Sequence, residues 1–342
     1  MKPILTSRLL LLLAIITGFS VANLYYLQPL LSEVSISFQV SPTTVGSAAM
    51  LTQIGYAIGM LFILPLADIM NKKLLICIVA LGAAIILLII GISNSLWVFL
   101  IATLLLGVFS VTPQLIIPLG AELADAQKRG AVIGKIMSGL FIGILLSRTA
   151  SGFIGEYFGW HMVYFIASGL MLFIVIMVVF YLPNYHNAQS VKYLDLFLSM
   201  FQIVKQEKTL RSAALSGGLT FAVFSIFWTT LPFWLASPQY SFGPQVVGIF
   251  GLVGVIGVIA APVVGKMADR RSPETTISWA IVIVILSYLC FLLLGQHIFG
   301  LVIGVILLDL GIQSCHISNQ ARIFALSDTA SNRINTFYMV SY

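Results

Sequence analysis

A chain of 342 residues with 60% apolar and only 8% charged residues lies outside the soluble range, where charged residues make up about 25%. A net charge of +6 would suggest nucleic acid in a soluble protein. No basic patch here is interleaved with exposed aromatics, so the anionic face of a membrane is the nearer partner. Cys77, Cys290 and Cys315 lie in or near apolar stretches without CxxC spacing. They read as buried free thiols, not as metal ligands or a disulfide.

A spanning helix needs about 20 mostly apolar residues, and the chain predicts ten such spans, at 9–31, 43–66, 74–92, 97–119, 131–154, 162–182, 211–235, 245–267, 276–294 and 298–323. The start imitates a signal peptide, with Lys2, Arg8, an apolar run from Leu9 to Ile16, then Ser20 and Ala22. The apolar character continues through Tyr25, Tyr26, Pro29 and Leu31, so an uncleaved first helix is expected. Basic residues follow the even-numbered spans: Lys72 and Lys73, Lys128 and Arg129, Lys205 to Arg211, Lys266 to Arg271, then Arg322 and Arg333. Segments 32–42, 93–96, 155–161, 236–243 and 295–297 hold no Lys or Arg. Basic loops stay cytoplasmic, which predicts a multi-pass membrane protein with its N-terminus inside. Lys135 sits at the inner end of the fifth span, and Arg148, deep within that span, is the exception.

Six spans precede one long polar interruption, residues 183–210, whose second part, Tyr193 to Val204, reads as an amphipathic interfacial helix. The regions on either side are related. Asp68 matches Asp269, Val45-Gly46 matches Val247-Gly248, Pro29 matches Pro232 and Arg129 matches Arg333, all at offsets of 201 to 204 residues. A steady offset marks an internal repeat. The expected organisation is a six-helix bundle over 1–182, a cytoplasmic linker over 183–210 and a second bundle over 211–342. Two such halves are a recurrent plan of secondary transporters. By the repeat, an eleventh helix should start near Asn335 and a twelfth should follow Tyr342. The second bundle is therefore expected to be incomplete, with about ten complete spans. Its last residues are expected to form a tail at the interface or to misassemble.

The loop after the second span reads Leu64-Pro65-Leu66-Ala67-Asp68-Ile69-Met70-Asn71-Lys72-Lys73, and the loop after the eighth reads Gly265-Lys266-Met267-Ala268-Asp269-Arg270-Arg271. The pair resembles the loop signature of the major facilitator superfamily. The second copy keeps the Gly, the Asp and the following Arg. The first keeps the Asp and the closing basic pair, with Leu64, Ile69 and Asn71 where Gly, Arg and Gly are usual. The resemblance implies that each aspartate associates with a helix N-terminus from the other half, a favourable placement for an anion. Asp68, Lys72, Lys73, Arg129, Asp269 and Arg270 are then candidates for a conformational latch on the cytoplasmic side. The start of the fifth span, near Gly130, is the implied partner of Asp269.

The fifth span carries Gly139, Gly143, Ser147, Arg148, Ser151, Gly152 and Gly155. Small residues at this spacing let helix backbones approach closely, so Gly139, Gly143 and Gly152 are packing candidates. The stretch is similar to the fifth-helix glycine motif of exporters in the superfamily, without their usual Gly-Pro pair. Thr103 stands where many members carry an arginine, so a proton-coupling role for that arginine does not carry over. A buried arginine costs about 2.5–3.5 kcal/mol on insertion scales and needs a partner. Asp309, in the tenth span, is the expected one.

In that span Asp309, Gln313, His316 and Gln320 share one helical face. A membrane acid with a histidine two turns away suits a proton relay, since histidine titrates near neutrality. An interhelical hydrogen-bond seam is the plainer alternative. Further cavity candidates are Asn23, Tyr25, Tyr26 and Gln28 in the first span, Thr112 and Gln114 in the fourth, and Trp228 in the seventh. The resemblance makes these spans and the tenth the cavity wall.

No GxxxxGK[ST], HExxH or GxSxG motif occurs, which argues against ATP-driven pumping or hydrolysis. The expectation is an all-α member of the superfamily in a bacterial cytoplasmic membrane, a monomer without cofactor. It would export a small drug-like or metabolite substrate by alternating access, with protons as the coupling ion. Uptake of a sugar or organic acid, or an inactive remnant of a longer transporter, are the alternatives.

Overall fold

The computed structural model describes residues 5–125, 128–184, 193, 202–254, 273–324, 326 and 331–342. These form helices and no strands. In chain order they are α1 (Ser7–Ala22), α2 (Leu27–Phe38), α3 (Pro42–Ile63), α4 (Lys72–Ile92), α5 (Leu96–Val108), α6 (Thr112–Leu123), α7 (Arg129–Phe158), α8 (Trp160–Tyr181) and α9 (Lys208–Leu235). They continue with α10 (Pro244–Gly254), α11 (Pro273–Leu294), α12 (Ile298–Phe324) and α13 (Ser331–Ser341). Among the described residues, nine helical stretches are long and apolar enough to cross a membrane, with α10 a shorter apolar helix. The predicted eighth span is described only through Gly254, and most of the predicted helix over 193–204 lies outside the described residues.

Local chemistry fixes the boundaries. Ser41 Oγ accepts the Thr44 amide at 3.2 Å ahead of Pro42, the first residue of α3. Asn71 Oδ1 accepts the Lys73 and Leu74 amides at 2.9 and 3.3 Å and so caps α4. Both satisfy donors that a helix start leaves open. Helix α4 then shows what surrounds it: Ile78, Leu81, Ile85, Leu88 and Ile92 are exposed, while Ile76, Val79, Ala83, Leu87 and Ile90 are buried. An apolar stripe of that length stays exposed only where the solvent is lipid.

The first and fourth predicted spans are each two helices. Between α1 and α2 the chain turns at residues 23–26, and between α5 and α6 at residues 109–111. Pro29 and Pro113 lie just beyond the turns. Neither has an amide to bond the carbonyl four residues back, at Tyr25 and at Phe109. The Tyr25 carbonyl instead accepts the Gln28 amide at 3.2 Å, a tighter turn than an α-helix makes.

Two compact units divide the chain, Met1–Tyr193 with Leu231–Gly248, and Leu194–Thr230 with Ile249–Tyr342. In the first, α1 packs on α7 and α6, α3 on α5, and α4 on α8. Ser168 Oγ donates to the Ala84 carbonyl at 2.8 Å across the α4–α8 contact. Phe38, Phe99 and Trp160 form an aromatic cluster with centroids 5.4 to 5.7 Å apart. In the second unit α11 packs on α12, and Ser287 Oγ donates to the Gly304 carbonyl at 2.8 Å. Tyr288 Oη donates to the Val223 carbonyl at 2.8 Å, and Phe227 stacks on Phe291 at 4.4 Å.

The final described segment is a docked helix. Helix α13 starts at Ser331 and turns Ile334 and Tyr338 inward, 1% and 0% exposed, against Leu210, Ala213 and Ile323. Their four-residue spacing puts both on one helical face, so eleven residues have enough apolar surface to dock.

Candidate functional site

In the first unit the polar candidates gather at the helix breaks. Ala14, Gly18 and Leu30 meet Gly139, Gly143 and Gly155 at a constant offset, so the first span and α7 run parallel. A Cβ on Gly18 would lie 2.7 Å from the Gly139 carbonyl oxygen, and one on Gly143 would fall on the Gly18 backbone. Glycine at these positions lets α7 approach close enough to bring Arg148 level with Asn23. Arg148 is 2% exposed. Its Nε donates to Gln28 Oε1 at 2.8 Å, and its guanidinium carbon stands 4.9 Å from the Tyr25 ring centroid. A neutral amide oxygen and an aromatic face thus hold the cation, both from the residues around the first break. Its expected pairing with Asp309 would join residues of different units and remains a proposal.

Asn23 lies in the turn itself and is buried, as is Tyr26. Gln114, in the first turn of α6, donates its Nε2 to Tyr56 Oη at 3.1 Å and so ties the second break to α3. Thr103 is buried, and its hydroxyl is spent on the Leu100 carbonyl at 2.8 Å. Gly152 admits the first turn of α10: a Cβ there would lie 2.5 Å from the Pro244 carbonyl oxygen. Beside it Thr149 Oγ1 donates to the Gly248 carbonyl at 3.1 Å.

At the other end of this unit, Asp68 closes a 3-10 turn, Leu64–Asp68, and is exposed. Lys72 is buried: its Nζ is 2.6 Å from both Glu122 oxygens, joining the start of α4 to the end of α6. Lys73 is half-buried, while Arg129, the first residue of α7, is exposed. Asp269 and Arg270 lie outside the described residues. Glu122 and Tyr56 were not singled out in the sequence. A carboxylate at the basic end of a span was the available signal for Glu122, and nothing in the sequence singles out Tyr56.

In the second unit the polar face belongs to one unbroken helix, α12. Asp309 is 3% exposed and rests against α10, where a Cβ on Gly254 would lie 2.5 Å from its Oδ2. Gln313 and His316 are half-buried. His316 Nδ1 shares a hydrogen bond with Tyr338 Oη at 3.1 Å, and its ring lies 4.4 Å from that of Tyr342. One residue round the helix from Gln320, Asn319 is fully buried and donates its Nδ2 to Ser216 Oγ on α9 at 2.9 Å. Trp228 is fully buried beside Phe227 and Phe224. The α12 face thus divides between a seam to α9 and a histidine held by the tyrosines at Tyr338 and Tyr342.

Broken helices around a buried cation, opposite-charge chemistry on a second set of helices and lipid-facing apolar stripes describe a membrane transporter. The sequence profile of the Major Facilitator Superfamily matches residues 10–342. The chain belongs to this superfamily. The uncharacterized transporter YgaY of Escherichia coli K12 is 39% identical over 338 residues, 99% of this chain and 86% of that protein. The multidrug resistance protein MdtG of Salmonella arizonae is 27% identical over 237 residues, 65% of this chain and 55% of that protein. Among solved structures, a bacterial homologue of the human lysosomal transporter Spinster, inward-facing and unoccupied, matches with a TM-score of 0.77. That match covers 98% of this chain and 79% of the other at 15% identity, a likeness of fold. The protein is therefore an all-α, multi-pass membrane member of the superfamily.

Proposed function

We propose that this chain is a secondary active transporter that exports a small drug-like or metabolite substrate by alternating access. Inward proton movement drives it, across a bacterial cytoplasmic membrane, with the N-terminus inside and the protein a monomer. The bundles over 1–182 and 211–342, joined by 183–210, are the bodies that rock. The observation that carries this reading is the burial of two ionisable groups, Arg148 and Asp309, deep in apolar spans. Charges at such depth are expensive, and they mark substrate or ion pathways. Similarity to MdtG and the alternation of basic loops support the direction and the orientation.

Arg148 with Gln28, Asn23, Tyr26 and Gln114 is the proposed substrate side, and Asp309 with Gln313 and His316 the proton side. Trp228 braces the second. The full chain, expressed in bacteria stripped of their own exporters, should expel ethidium on energisation and stop when a protonophore is added. In everted vesicles, substrate should then move protons. Accumulation of a labelled sugar or organic acid in place of efflux would favour uptake, and efflux indifferent to the protonophore would sink proton coupling. If Arg148 and Asp309 compensate one another, exchanging the two residues should restore part of the transport lost in either single variant.

A further inference from the structure

The basic-poor end of the first unit holds a carboxylate that the transport reading does not use. Glu33 lies on α2, and its Oε1 accepts the backbone amide of Trp160, the first residue of α8, at 3.2 Å. The residue ahead of Trp160 is Gly159, at φ 81°, which has no side chain to cap the helix. Glu33 thus supplies from α2 the acceptor that α8 lacks, and it sets a negative charge at the positive end of the helix dipole.

Its second oxygen is placed differently. Oε2 is buried and has no hydrogen-bond partner among the described residues. The backbone of α7 closes over it: a Cβ on Gly155 would lie 3.3 Å away. Segments 32–42 and 155–161 contain no Lys or Arg. From α7, Glu156 is close enough to act on Glu33 electrostatically, and its own carboxylate rests against Gly243. Tyr157, also on α7, is exposed and directed to Gln245 Oε1 at 3.3 Å. From α8, His161 stacks on Trp160 at 3.6 Å, and Tyr164 meets the same indole edge-on at 6.0 Å. The first two turns of α3, the other helix against α2, hold no titratable group. A buried acceptor without a donor is costly, and more so when charged. Of the ligands that fit this space a proton is the smallest, and it removes the charge as it binds.

We propose that Glu33 is a proton site on the basic-poor side, and that its protonation favours the docking of α2 on α7 and α8. In the ionised state Oε1 accepts the Trp160 amide, but Oε2 carries charge in a space that offers it no donor, which weakens the hold of α2 on α7 and α8. In the protonated state that charge is gone while Oε1 can still accept the Trp160 amide, so α2 stays docked at lower cost. The proton-driven reading enters only in the direction of travel, since that side is where protons would be taken up.

Trp160 is a built-in reporter. Tryptophan emission of the purified full chain in lipid nanodiscs would be followed from about pH 4 to about pH 9, a window that contains the ordinary glutamate range. The wild type should show a sigmoidal component that is absent in Glu33→Gln and in Trp160→Phe but kept in Glu156→Gln and His161→Phe. A component that persists in Glu33→Gln, vanishes with Glu156 or His161 instead, or is missing from the wild type overturns the assignment. Should Glu33→Gln give too little protein, Glu33→Asp decides: the shorter acid cannot keep the same contacts, so an unmoved midpoint overturns it equally. Ethidium efflux reports separately. A wild type that titrates without efflux sinks the transport reading alone, and efflux without titration sinks the Glu33 site alone.

Discussion

The two units solve the same problem, a polar group inside an apolar bundle, in opposite ways. The first breaks its helices. The turn at 23–26 sets Gln28 of α2 and the Tyr25 ring against Arg148 of α7, the turn at 109–111 sets Gln114 of α6 against Tyr56, and the cation is held by a neutral amide and a ring. The second keeps α12 continuous and spreads Asp309, Gln313 and His316 along one face, with Asn319 turned to α9. The contrast teaches where rigidity lies. A site built at helix breaks depends on several segments staying in register, whereas a site on one helix needs only that helix. Substitutions in the first unit should therefore disturb transport more broadly than equivalent ones in the second.

The sharpest way to break this comparison is at Arg148. Arg148→Ala removes the charge-assisted bond to Gln28 and leaves the amide facing a cavity. A hydrogen bond to a charged group is worth about 1.5–3 kcal/mol, roughly tenfold to a hundredfold in rate if it acts in transport. Arg148→Lys keeps the charge but not the planar group that stacks on Tyr25, so it should recover only part. Initial efflux rates in vesicles, normalised to protein inserted, decide it. Full activity in Arg148→Lys would mean that charge alone matters and that the fitted break does not.

Next in size is the ion pair of Lys72 and Glu122, at the opposite end of the same unit. Lys72 is buried while the Glu122 side chain is 32% exposed, so the pair is partly screened. Removing one partner of a buried pair costs about 3–5 kcal/mol, and of an exposed pair about 1 or less. Each single alanine variant should fall between, near 2 kcal/mol, with the double variant less destabilised than the sum. Thermal unfolding in detergent measures all three. An additive double variant would show that the pair carries no coupling.

These two sites also show what was legible in the sequence. Arg148 stands out because a cation in an apolar run is visible by itself, and the loop copies with Asp68 and Asp269 carry the superfamily resemblance. Span positions follow from hydropathy. The breaks do not, because Pro29 and Pro113 lie inside runs apolar enough to read as single helices. The pairing of Lys72 with Glu122 spans fifty residues and leaves no periodic trace. Glu33 was passed over for a related reason: its role is set by Gly159 and Trp160, which follow it by more than a hundred residues. Periodicity registers which residues share a face of one helix, such as Asp309 and Gln313. Contacts between helices depend on a register that only folding supplies.

A smaller effect is expected at the crossing that carries Arg148. Gly143→Ala would set a methyl group on the Gly18 backbone. Overpacking of this kind costs about 1–3 kcal/mol. Because α1 and α7 run parallel here, any separation also withdraws Arg148 from Gln28. Stability and transport should therefore fall together. Stability lost with transport kept would mean that the breaks tolerate looser packing than the first unit's geometry suggests.

The smallest effect should come from the second unit, and it is the one that tests the contrast most directly. Tyr338→Phe deletes the hydroxyl that meets His316 Nδ1 and leaves the ring stacked and buried. Interhelical hydrogen bonds in membranes average about 0.6 kcal/mol, so unfolding should shift only slightly. On a continuous helix, His316 loses one partner and keeps its position, because α12 is held elsewhere by its packing on α11 and by the bond from Asn319 to Ser216. Transport by Tyr338→Phe should then stay close to wild type while His316→Ala lowers it. If both variants lose transport equally, the tyrosine hydroxyl positions the imidazole for its task. The second unit would then depend on cross-helix register as much as the first, and the distinction between broken and continuous helices would fail.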